Sequence, residues 1–107
     1  MTKGGEPESN IQPAKLSKPA VTRVIKELGA NDDHIVILPH CFKRMKQRKI
    51  NDTQIRRVVQ AGFIDGDPYL DQFANWRVTM RGLSAGTQIT IVVAIDWKTR
   101  LLVVTVY

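Results

Sequence analysis

The chain has 107 residues, 43% hydrophobic and 24% charged, which fits one small globular domain and leaves no room for a second core. Its longest apolar runs, residues 35–38 and 91–95, fall far below the roughly 18 residues of a membrane span, and its single cysteine, Cys41, forms no internal disulfide. Sixteen Lys and Arg against ten Asp and Glu give +6; seven of those cations, with Asp52 as the one carboxylate, fall within residues 40–60, so this segment carries the whole excess.

One cysteine and two histidines cannot supply the paired soft ligands of a structural zinc site, so neither a metal nor a cofactor is expected. The first residues, Met1-Thr2-Lys3-Gly4-Gly5-Glu6-Pro7, lack the apolar stretch of a secretory leader, and a reducing cytoplasm is the expected location. Residues 1–16 hold only Ile11 and Leu16 as larger aliphatics and are expected to form a flexible tail on a single domain over residues 17–107.

In that domain Ser17 is a helix cap, Pro19 suits a first turn, and Val21, Val24, Ile25 and Leu28 recur at helical spacing up to a stop at Gly29. The β-branched run Ile35-Val36-Ile37 reads as a short strand, with an extended segment leading into the next helix as the alternative, and Pro39 restarts the chain for a second helix from about His40 to Lys49. On it Cys41, Phe42 and Met45 point inward, while His40, Arg44, Gln47 and Arg48 form one outward stripe. Asn51 and Gln54 form a capping box for a third helix, whose apolar face is Ile55, Val58, Val59 and Gly62.

From Phe63 onward the period changes to two, predicting an antiparallel meander of three strands over residues 76–81, 88–95 and 101–107. Alternation sets Leu102, Val104 and Val106 against the helices, and Leu101, Val103, Thr105 and Tyr107 with Arg77, Thr79, Arg81, Gln88 and Thr90 on a mixed opposite face that is half-open, basic and hydroxyl-bearing. The expected fold is α+β, with helices packed on one face of a three- to four-stranded antiparallel sheet.

A concentrated basic segment is the footprint of a nucleic-acid contact, its plain alternative being a solvated helix face. His40 is the one group on the stripe whose residue type titrates near neutrality, which makes it the candidate acid or base; its rival role is to cap the helix. Arg44 and Arg48 offer guanidinium forks for phosphate oxygens, supplemented by Lys43, Arg77 and Arg81, and the hydroxyls of Tyr107 and Thr105 can donate to a substrate oxygen. His34 reads as structural, and Cys41 as a small buried hydrophobe rather than a nucleophile. With no Gly-rich phosphate loop, no serine elbow and no paired carboxylates, the compatible chemistry is metal-free RNA transesterification.

The string His40-Cys41-Phe42-Lys43-Arg44-Met45-Lys46-Gln47-Arg48-Lys49-Ile50 resembles the His-x-x-x-Arg-Met-x-x-Arg-x-Ile signature of a bacterial family catalogued as domain of unknown function 4258. Gly62 and a last strand Val103-Val104-Thr105-Val106-Tyr107 extend the likeness over about residues 34–107. Such domains look like relatives of the barnase, EndoU, colicin and RelE group of small toxin ribonucleases, and the resemblance implies that kind of fold. It puts His40, Arg44 and Arg48 at the polar motif positions, Met45 and Ile50 in the core, and Thr105 with Tyr107 on the terminal strand. The expected function is a metal-independent ribonuclease-like toxin domain with RNA as partner. The alternatives are a non-catalytic nucleic-acid-binding module using the same cations, or a domain whose basic helix docks an acidic, antitoxin-like protein.

Overall fold

The computed structural model describes residues 15–97 and 99–107. The expected tail thus lies outside the described residues except for Lys15 and Leu16, of which Leu16 packs against the core. Helix α1 (Lys18–Gly29) opens where the Ser17 hydroxyl accepts from the Ala20 amide at 3.2 Å, with Pro19 in its first turn. Val21, Ile25 and Gly29 form its buried stripe. The helix ends at Gly29 as expected, and Gly29 is also a contact: a Cβ there would stand 3.3 Å from Val59 Cγ1 on α3 (Asp52–Ala61). After a 3₁₀ turn (Asp32–His34), β1 (Ile35–Ile37) leads to α2 (Cys41–Arg48), which closes at Lys49 in the left-handed region, φ 58. The capping box forms as read, with Asn51 and Gln54 exchanging side-chain and backbone bonds of 2.8 and 2.9 Å at the start of α3.

The remaining strands are β2 (Phe63–Leu70), β3 (Trp76–Ser84), β4 (Thr87–Asp96) and β5 (Arg100–Val106), in sheet order β1-β5-β4-β3-β2. The α+β class holds, but the expected sheet of three to four antiparallel strands is corrected to five strands in a mixed sheet. β1 pairs parallel to β5, a partner that a three-residue run cannot announce in its own sequence. β2 lies outside the expected meander. Its Asp65, Gly66, Asp67 and Pro68 look like turn residues, yet they are accommodated at the sheet edge by a register shift between Asp65 and Tyr69, with Gly66 at φ 83.

Helices α1 and α3 cover one face, where Val21, Ile25, Ile55, Val58 and Val59 meet Val78, Ile91, Val93, Leu101, Val103 and Val106. α2 contacts β5 and inserts only Cys41 and Met45 into this core. Phe42, expected to point inward, is 48% exposed, because so narrow a contact stripe does not reach the next residue around the helix. The expected facing of β5 is also corrected. Val93 pairs with Val103 and Val92 with Thr105, so Val104 is an extra residue, and the alternation changes phase there. Leu101, Val103 and Val106 therefore face the helices, whereas Val104 and Leu102 join Val92, Ala94 and Leu38 in a small cluster on the other side.

Candidate functional site

β1 gives out at Ile37, opposite Val103, and past that point the outer edge of β5 is met by the start of α2 instead of by a strand. The Val103 carbonyl accepts from the Leu38 amide at 3.1 Å and from Cys41 Sγ at 3.3 Å. The bulge turns the next carbonyl, Val104, the same way, where it meets His40 Nε2 at 2.7 Å. His40 stands at the N-cap position, yet its side chain makes no capping bond. Because a carbonyl only accepts, Nε2 is the protonated nitrogen and Nδ1 is the one left to exchange a proton.

Arg44 lies one turn further, about 6 Å along the helix axis. Together His40, Cys41, Arg44, Val104, Thr105 and Val106 line a groove of about 250 Å³. It offers a proton-exchanging ring, a guanidinium and a hydroxyl within one small hollow. Cys41 forms the floor; burial pushes its thiol up from the ordinary value, which keeps it protonated and donating, so it is no nucleophile. A larger hollow of about 440 Å³ between α1, α3 and β2 has Lys18, Lys26 and Thr22 over an apolar floor, with no histidine or carboxylate in its lining.

Of the residues singled out in the sequence, the structure brings His40, Arg44 and Thr105 together. Tyr107 follows Thr105 at the strand's end, 51% exposed, its amide bound to the Thr90 carbonyl at 3.0 Å. Lys43 and Arg48 are exposed on α2 outside the groove. Arg77 and Arg81 lie on the sheet face expected for them but are held by carboxylates, Arg77 by Asp71 and Arg81 by Asp65, each at 2.7 Å. Among the described residues, the other ion pairs are Arg56 with Asp52 and Arg100 with Asp96, so no cation of α2 has a carboxylate partner. The Val104 carbonyl was not legible: no side-chain pattern tells which way a backbone group points beside a bulge.

The family model described as Domain of unknown function (DUF4258) matches residues 37–107, about two thirds of the chain. The match takes in α2 and β5, hence both walls of the groove, while α1 lies outside it. No curated protein and no solved structure matches the chain.

Proposed function

The chain belongs to the family described as Domain of unknown function (DUF4258), and we propose that it is a metal-independent ribonuclease-like domain of the small toxin type, binding and cutting RNA at the groove between α2 and β5. The observation that carries this reading is the His40 Nε2 bond to the Val104 carbonyl. It orients the imidazole and leaves Nδ1 free of that contact, beside a guanidinium with no carboxylate partner among the described residues. In the reaction, Nδ1 takes the proton of a ribose 2′-hydroxyl, the O2′–P bond forms and the P–O5′ bond breaks, giving a 2′,3′-cyclic phosphate. The departing O5′ takes a proton from the Tyr107 phenol, which solvent restores. Arg44 and the Thr105 hydroxyl hold the non-bridging oxygens as charge builds on them.

Helices on an antiparallel meander, with the motif histidine next to the last strand, also support kinship with the barnase, EndoU, colicin and RelE group. The cations of α2 outside the groove, Lys43, Arg48 and their neighbours, guide the flanking phosphates. The test is a labelled single-stranded RNA incubated with the purified chain in excess chelator. Cleavage to products ending in a 2′,3′-cyclic phosphate is expected. RNA that is retained but never cut overturns the enzyme and leaves the binding module.

A further inference from the structure

The pairing of β4 with β5 fixes more of the groove than its side chains. The Tyr107 amide bonds the Thr90 carbonyl at 3.0 Å, which makes Ile91 and Val106 a non-hydrogen-bonded antiparallel pair. The Val106 N–H and C=O consequently point away from β4, to the edge that β1 no longer covers after Val103. The Val106 side chain is in the core, 2% exposed, so what Val106 lends to the groove wall is its backbone. Of the edge groups on this stretch, the carbonyls of Val103 and Val104 already have donors, in Leu38, Cys41 and His40. The Val106 amide is a donor of fixed direction beside Arg44, and the Val106 carbonyl next to it suits one hydroxyl, from ribose or water.

We propose that the Val106 backbone amide and the Arg44 guanidinium form a subsite for a phosphate-class anion, with Thr105 as the flanking hydroxyl. This rests on the groove being the functional site, but not on its cutting RNA. A backbone donor is held by the sheet and needs no ordering when the anion arrives, whereas the guanidinium supplies charge on a flexible stem. The anion is a phosphodiester within a chain or a terminal phosphomonoester.

The test is a titration of the ¹⁵N-labelled full chain, at constant ionic strength, with inorganic phosphate, with a nucleoside 3′-monophosphate and with a dinucleoside phosphorothioate. The Val106 amide resonance is expected to move with each, and Arg44→Ala to abolish the shift. A stronger response to the dinucleotide assigns the subsite to a chain phosphate; a stronger response to the monophosphate assigns it to a product-like terminus. Val106→Pro removes the N–H from an edge position where proline is tolerated, and Val106→Ala is its control for lost packing. Affinity for the monophosphate should be about tenfold weaker in Val106→Pro than in Val106→Ala. A Val106 resonance that stays still while Arg44 responds overturns the subsite without reference to either variant. Cleavage by the unmodified chain with a silent Val106 amide sinks the subsite alone. A responsive amide in a chain that never cuts RNA sinks the ribonuclease and leaves the subsite standing.

Discussion

At His40 a single hydrogen bond separates positioning from proton transfer, and two substitutions divide the roles. His40→Gln keeps an N–H that can reach the Val104 carbonyl but has no atom that exchanges protons near neutrality; it should fold and bind RNA as the parent does and cut it roughly 10²-fold more slowly. His40→Ala loses the contact as well, and its melting curve should also register about 1 kcal/mol of lost stability, the usual net value of one hydrogen bond. Rates, affinities and melting curves on the same two preparations check this; an active His40→Gln removes the imidazole from the mechanism. The histidine and Arg44 were legible because helical spacing alone aligns them. What they face was not, since a carbonyl leaves no trace in the residue type that bears it.

Among the elements, the turn between β2 and β3 and the crossing of α3 over β3 each make a prediction. Asp71 Oδ1 accepts from the Asn75 and Phe73 amides at 2.9 and 2.8 Å, and Oδ2 accepts from Arg77 Nε at 2.7 Å. The Asn75 amide above all, with Arg77 and Phe73, holds the Asp71 carboxyl below its ordinary value. A lowered folded-state value means stability that is fully present above the unfolded-state value, roughly 4, and is lost as pH falls through the folded-state value. Asp71→Asn should therefore melt lower than the parent at neutral pH, and the gap should close below about pH 4 in a series of thermal melts. At Gly62 a Cβ would lie 2.5 Å from the Val58 carbonyl oxygen and 2.6 Å from that of Arg81, both backbone. Gly62→Ala must push α3 off β3, and denaturant unfolding should show a loss of about 1 to 3 kcal/mol. Helix starts were readable because caps are local. The phase of β5 was not, because Leu101-Leu102-Val103-Val104 is apolar at every position and nothing polar marks the extra residue.

Across the whole molecule, folding turns a charge excess that is local in sequence into one that is local in space. Arg56 is drawn off to Asp52 and to the Asp32 carbonyl, at 2.7 Å from the latter, and the sheet arginines are neutralised by Asp71 and Asp65. Of the seven cations within residues 40–60, Lys43, Arg44, Lys46, Arg48 and Lys49 remain on α2 and its C-cap and Arg57 on α3, none with a carboxylate partner among the described residues. A polyanion is thus met at one side, next to the groove, and each phosphate neutralised there releases counterions. For single strands the slope of log affinity against log salt changes by about 0.7 per contact. Removing Arg44 and Arg48 together should lower that slope by about 1.4, measured by anisotropy on the His40→Gln background so that cutting is slow on the timescale of the titration. Removing Arg77 and Arg81 together changes the protein's net charge by the same amount, yet it should leave the slope nearly unchanged, because those guanidiniums already face carboxylates. Equal slopes for the two double variants would mean that RNA reads total charge rather than α2, and the groove would then lose its claim to be where the strand enters. An acidic partner protein would use the same cations, so it should compete with RNA for the parent and lose affinity in the Arg44 and Arg48 double variant alone.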